Sequence, residues 1–136
     1  MKDMKVRLST LWIFAVLNYL YADVLTLMDP VELRKIMADN IGPFQMTQGF
    51  LLGAGILMET AIVMVLFSRL LNYRANRLAN IIAGIIHTAA VFSSMFVGKP
   101  SVYYLFFGII EITCTLFIIG YAWRWSAPGE TADNIN

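Results

Sequence analysis

The sequence predicts an all-α membrane protein built as a four-helix transmembrane bundle. Hydrophobic residues make up 59% of the 136-residue chain and charged residues 14%, whereas soluble domains contain about 45–50% and about 25% of each. Four apolar segments, at about 8–28, 44–67, 78–97 and 101–123, each approach the roughly 20 residues that a spanning helix needs. They lack the alternation of polar and apolar residues that is typical of barrel strands, so helices are expected.

The first segment follows three basic residues, but no small-residue cleavage site accompanies it, which favours a retained helix over a signal peptide. After it, Asp29 and Pro30 suit the start of a helix, as cap and first turn. Residues 30–38 mix apolar and charged side chains, which indicates a short helix at the membrane interface or, as an alternative, a polar loop. Gly42 and Pro43 are expected to open the second span.

The remaining connections are short. The stretch SRLLNYRANR, residues 68–77, is interpreted as the linker between the second and third spans, and GKPS, residues 98–101, as a tight turn before the fourth. Residues 1–125 therefore form a single transmembrane domain, and the tail at 126–136 is predicted to be disordered.

The distribution of Lys and Arg predicts the orientation of the bundle. Seven of these residues lie on the side of the two termini and three on the opposite side, so the positive-inside rule places both termini in the cytoplasm. We expect a multi-pass protein of a cell membrane, with the bacterial inner membrane as its location and the lipid bilayer as its first partner. The few basic residues form no stripe with interleaved aromatics, which argues against nucleic-acid binding.

Each predicted span carries a strong polar group near the middle of the membrane. These groups are Asn18, Glu59, His87 and Glu111. Because polar side chains within a membrane are expensive and usually face one another, we expect all four to meet inside the bundle. Asp23 would lie at the outer approach to this cluster, and a wet vestibule on the same side would be lined by Gln48, Ser94 and Tyr104.

The chemistry of such a cluster leaves three functions open. Desolvation and mutual repulsion favour at least one protonated glutamate, and His87 between Glu59 and Glu111 would form a short proton relay. The first function is binding of a hydrophobic or cationic small molecule, with proton-coupled transport as an extension. The second is an enzyme, an isomerase or oxidoreductase, acting on a lipid-like substrate. The third is a structural role in assembly, with the cluster fixing helix register.

No cofactor is predicted. His87, Glu59, Glu111 and Asp23 are ligand types that iron or zinc accepts, but a single histidine and the lack of a Glu-x-x-His pair lead us to assign no metal. Cys114 is interpreted as a small buried hydrophobe.

Two further patterns concern partners. Gly49 and Gly53 match the close-packing motif of membrane helices, which would serve either a homodimer or packing within the bundle. Arg69, Arg74 and Arg77 would either contact anionic lipid headgroups or serve only to fix the topology.

The four short-looped spans, the stretch LNYLYADVLTL in the first and the acidic residues in the second and fourth resemble small bacterial membrane families near the DoxX-like group. The resemblance is architectural and covers most of the chain. It implies redox or quinone chemistry, although the single cysteine does not fit the thiol versions. The chain is more distantly similar to sterol-isomerase-type bundles, and to small multidrug transporters in using a membrane glutamate.

Overall fold

The computed structural model describes residues 2–38 and 45–127 and confirms the all-helical fold. Within these residues the helices are α1 (Lys2–Met28), α2 (Pro30–Met37), α3 (Gln48–Leu70), α4 (Tyr73–Ser94) and α5 (Val102–Arg124). All but α2 are long and apolar enough to cross a membrane. The tail predicted to be disordered covers residues 126–136, of which 128–136 lie outside the described part of the chain, as do residues 39–44 with the predicted Gly42-Pro43 start of the second span.

The short helix α2 forms where the sequence predicts it. Asp29 caps its first turn, accepting hydrogen bonds from the backbone nitrogens of Val31 at 2.9 Å and Glu32 at 3.5 Å. Pro30 occupies the first turn, where a missing N–H costs nothing. Lys35 and Glu32, three residues apart on α2, form an ion pair of 2.7 Å that stabilises the helix.

The connection between α3 and α4 is much shorter than expected. Most of residues 68–77 is helical, and only Leu71 and Asn72 separate the two helices. The Asn72 side chain accepts a hydrogen bond from the Ala75 nitrogen at 3.0 Å and so caps α4. The interpretation of this arginine-rich stretch as a linker is wrong, because its charges lie on helix ends rather than on a loop. By contrast, Gly98 has a φ of +73° in the turn before α5, a conformation that glycine adopts without strain.

The four long helices pack in a ring, in the order α1, α3, α4 and α5, with α5 closing against α1. The apolar side chains at the centre of this ring are Leu8, Trp12, Ala61, Met64 and Ile118 among others. The tightest seam lies between α4 and α5, where an added Cβ on Gly84 would come within 2.6 Å of Ile119 Cγ1. Small residues at such points let membrane helices approach closely.

Candidate functional site

The interior of the bundle contains two polar regions at different heights. The first lies towards the end that carries Lys5, Arg69 and Arg77, which we call the basic end. The second lies towards the opposite end and contains Glu111. The two regions differ in how completely their polar atoms are paired.

The first region is a closed hydrogen-bond network around Asn80, which is fully buried. Asn80 Oδ1 accepts from Trp12 Nε1 at 2.8 Å and from the Ser68 hydroxyl at 3.2 Å. Asn80 Nδ2 donates to Asn76 Oδ1 at 2.6 Å, and Asn76 Nδ2 donates to the Ser68 carbonyl at 2.6 Å. We call these four residues, Trp12, Ser68, Asn76 and Asn80, the asparagine network. It joins α1, α3 and α4, and all four of its residues are fully buried.

The second region gathers four polar residues from α1 and α5, namely Tyr19, Asp23, Tyr104 and Glu111, which we call the carboxylate group. Glu111 is 6% exposed and Tyr19 is 7% exposed. Glu111 interacts electrostatically with Asp23 and with Tyr19, and Tyr104 interacts with both carboxyl groups. Asp23 itself is exposed at the surface of the bundle. The group therefore runs from an accessible carboxyl to a buried one.

Polar atoms that are buried and unpaired occur in the carboxylate group and close to it in the sequence. Among the described residues, Glu111 Oε1 and the hydroxyl oxygens of Tyr19 and Tyr103 find no hydrogen-bond partner. A buried polar atom without a partner costs about 1–3 kcal/mol. All three such atoms lie in the half of the bundle that contains Glu111, and none belongs to the asparagine network.

His87 lies between the two regions and is 3% exposed. The Tyr19 ring stacks on it with centroids 5.5 Å apart, and the Trp12 ring meets it edge-on at 5.4 Å. Its Nε2 lies 2.9 Å from the Thr60 hydroxyl, which donates its own hydrogen to the Leu57 carbonyl at 2.6 Å. Because a hydroxyl has one hydrogen, a Thr60 hydroxyl that donates to Leu57 accepts from His87, which assigns the ring proton to Nε2 in this arrangement.

The structure brings together only part of the predicted cluster. Glu111 and His87 are buried on the neighbouring helices α5 and α4, and Asp23 of α1 is close enough to Glu111 to interact with it electrostatically. Glu59 is exposed on α3, so the expectation that its side chain points into the bundle is wrong. Asn18 donates to the Phe14 carbonyl of its own helix at 2.8 Å, so its amide is not directed at Glu111. The described residues show no hydrogen-bonded relay from Glu59 through His87 to Glu111.

The predicted vestibule residues are distributed unevenly. Tyr104 donates a hydrogen bond of 2.7 Å to the Ser94 hydroxyl, which itself donates to the Val91 carbonyl at 2.7 Å. This pair links α5 to α4 just beyond the carboxylate group. Gln48, at the start of α3, is exposed. In residues 2–38 and 45–127, no set of three or more His, Cys, Asp or Glu side chains is placed to hold a metal ion.

The sequence analysis missed Tyr19 and the asparagine network. Tyr19 lies on a regular stripe of buried α1 residues spaced three and four apart, namely Leu8, Trp12, Ala15, Tyr19 and Ala22. That spacing marks one face of a helix and could have singled out Tyr19 over its neighbour Asn18. Asn76 and Asn80 are spaced four apart on α4 in the same way.

Comparison with known proteins identifies the family of the chain but no characterised relative. The model of a family of unknown function, DUF6326, matches residues 1–131, so the chain belongs to that family. No curated protein and no solved structure matches it. The resemblance to the DoxX-like group therefore stays a prediction.

Proposed function

We propose that this member of the DUF6326 family binds a hydrophobic organic cation at the carboxylate group, exchanging the cation for a proton on Glu111. One observation carries the proposal: a carboxyl oxygen of Glu111 and the hydroxyl of Tyr19 are both buried and lack a partner among the described residues. A native fold that keeps such atoms unpaired requires an explanation, and a polar guest that supplies the missing contacts is the simplest one.

The charge of the region favours a cation. The carboxyl groups of Glu111 and Asp23 interact with each other, and every Lys and Arg of the chain lies outside residues 8–33, 45–68, 78–98 and 100–123. Two carboxyl groups in a medium of low dielectric with no fixed cation attract a positive guest strongly once one of them is ionised. The aromatic rings of Tyr19 and Tyr104 add faces that suit an organic cation.

The exchange balances without a further reactant. A protonated Glu111 releases its hydrogen ion, and the resulting carboxylate pairs with the entering cation, so the buried site stays neutral. Asp23, which is exposed, provides the first contact on the way in. On the other side of the site, the fully buried asparagine network occupies the interior of the bundle, so we expect the cation to enter from the side of Asp23.

Equilibrium binding of tetraphenylphosphonium to the purified protein in detergent micelles tests the proposal. Glu111→Gln is expected to weaken binding by about tenfold or more, because it removes the carboxylate charge whose attraction for the cation amounts to a few kcal/mol, about 4 kcal/mol at roughly 4 Å and an effective dielectric of about 20. Glu59→Gln is the matched control, since it removes the same charge from an exposed position on another helix, and it is expected to bind like the parent protein. Equal binding by the parent and Glu111→Gln would rule the proposal out, as would equal losses in both variants.

Uptake into proteoliposomes extends the test from binding to transport. A proton gradient directed outward from the vesicles should drive accumulation of the cation by the parent protein and not by Glu111→Gln. Binding without accumulation supports a binding protein in place of a transporter. If neither variant binds the cation and both change only the melting temperature, the cluster has a structural role and the proposal fails.

A further inference from the structure

A second site candidate lies on the outside of the bundle, in the groove between α1 and α3. The groove encloses about 350 Å³. Its walls are six apolar side chains, and its end is closed by Ser9 and Arg69. The apolar residues are Ile13, Val16, Leu17, Ile62, Val65 and Leu66. The groove is separate from the carboxylate group, which lies between α1 and α5.

The polar end of the groove is held in place by a buried hydroxyl. Ser9 is fully buried and donates to the Val65 carbonyl at 2.8 Å. Arg69 Nε donates to the same Ser9 hydroxyl at 3.0 Å. A guanidinium has five N–H donors in a fixed fork, and the contact with Ser9 uses only the one on Nε. Arg69 is exposed, so the rest of this fork is accessible from the membrane side.

A second positive charge lies at the same end. Lys5 Nζ donates to the Leu71 carbonyl at 2.5 Å and to the Arg69 carbonyl at 3.5 Å. It therefore bridges the start of α1 to the final carbonyls of α3, beside the Arg69 backbone. Arginine and lysine together suit a phosphate group, because the arginine fork binds two oxygens and the ammonium adds charge.

The dimensions of the groove match one leaflet of a bilayer. Its α1 wall runs from Ser9 to Leu17, which is about 12 Å at 1.5 Å per residue. Half of a hydrocarbon core about 30 Å thick is about 15 Å. The charged end lies at the basic end of the bundle, where a headgroup would be, and the apolar walls extend from there towards the membrane centre.

We infer that the α1–α3 groove is a binding site for an anionic phospholipid of the leaflet at the basic end, with the phosphate at Arg69 and Lys5 and one acyl chain along the apolar walls. Arg69 and Lys5 are positively charged and complement the negative phosphodiester, so the site should prefer an anionic headgroup. The leaflet-length groove, open to the membrane, selects a lipid over a soluble phosphate.

Native mass spectrometry of the protein with retained lipids tests this inference, using dioleoyl phosphatidylglycerol and dioleoyl phosphatidylcholine as probes. The parent protein is expected to retain the anionic lipid about fivefold or more over the zwitterionic one. Arg69→Gln should remove this preference. Arg74→Gln is the matched control, because Arg74 is an exposed arginine of α4 that does not line the groove, and it should keep the preference.

A second variant guards against a folding defect in Arg69→Gln. Ile62→Trp places a bulky side chain on the exposed wall of the groove without touching its charges, and it should reduce retention of both lipids. The inference is overturned if Arg69→Gln and Arg74→Gln lower retention equally, which would mean that the basic end attracts anionic lipid in general and that the groove is not a specific site. It is also overturned if Ile62→Trp leaves the lipids bound and instead dissociates a dimer, which would mean that a second copy occupies the groove.

Discussion

The asparagine network and the carboxylate group are both buried polar regions of one small bundle, yet they satisfy their hydrogen bonds in opposite ways. Asn80 uses both its amide oxygen and its amide nitrogen on neighbours from α1, α3 and α4. Glu111 and Tyr19 are also buried but have unpaired atoms within the described residues. A saturated network rigidifies a fold, whereas an unsaturated one destabilises it unless a guest completes it. This difference is the reason for proposing a structural role for the first region and a binding role for the second.

The largest effect is expected from breaking the saturated region. Asn80→Leu removes the partner of Trp12 Nε1, the Ser68 hydroxyl and Asn76 Oδ1, and should lower the free energy of unfolding by about 2–3 kcal/mol. Asn18→Leu is its matched control, because within residues 2–38 and 45–127 the Asn18 amide donates to a carbonyl of its own helix. It should leave the stability nearly unchanged. Unfolding in mixed micelles of increasing dodecyl sulfate content, followed by tryptophan fluorescence, measures both; equal losses would contradict the comparison.

A smaller effect concerns the packing between the two regions. Gly84 lies on α4 between Asn80 and His87, and a Cβ there would collide with Ile119 Cγ1 at 2.6 Å. Gly84→Ala should therefore cost about 1–3 kcal/mol, as overpacking does.

Gly53→Ala is the control for that substitution, because a Cβ on Gly53 meets nothing within 4 Å among the described residues. It should leave stability unchanged or raise it by up to about 1 kcal/mol, since alanine favours the helix. Melting temperatures in one detergent compare the two variants. A strong loss in Gly53→Ala would indicate that α3 packs against a second copy at the Gly49 and Gly53 motif.

The smallest expected effects are changes in stability that have opposite signs in two parts of the bundle. Tyr73 donates to the Trp125 carbonyl at 2.6 Å at the basic end, so Tyr73→Phe should lower stability by about 1 kcal/mol. Tyr19→Phe removes a buried hydroxyl that has no partner among the described residues and should raise stability by about 1 kcal/mol in the absence of a guest. The same unfolding titration reports both variants. A loss in Tyr19→Phe as large as that in Tyr73→Phe would show that its hydroxyl is already satisfied.

The fold could be predicted from the sequence because it depends on segment length and apolar content, which the sequence states directly. The depth of the polar residues along each span could be predicted in the same way, and two of them, Glu111 and His87, are buried in the bundle. Their direction around each helix axis did not follow. In a membrane the lipid-facing side of a helix is as apolar as its interior, so hydrophobic periodicity does not separate inside from outside.

Glu59 illustrates that limit. It lies at a suitable depth, but the buried residues of α3 are Ala61, Met64 and Ser68. Glu59 precedes Ala61 by two residues, which turns it by about 200° away from that face. The buried positions of α3 include small and polar residues. Only the spacing of such residues along the sequence indicates which side of the helix faces the interior of the bundle. The role of Glu59 in binding stays a prediction that its exposed position does not support.

Proton release on cation binding tests the central claim most directly. Tetraphenylphosphonium is added to the protein in weakly buffered micelles, and the pH change is recorded at a series of starting pH values. At the lowest starting pH values, up to about one proton should be released per cation bound. The affinity for the cation should rise as the pH rises, because the cation and the proton compete for one carboxyl group. Glu59→Gln should release the same amount. Cation binding without proton release at any pH, or undiminished release in Glu111→Gln, would contradict the assignment of Glu111 as the exchanging group.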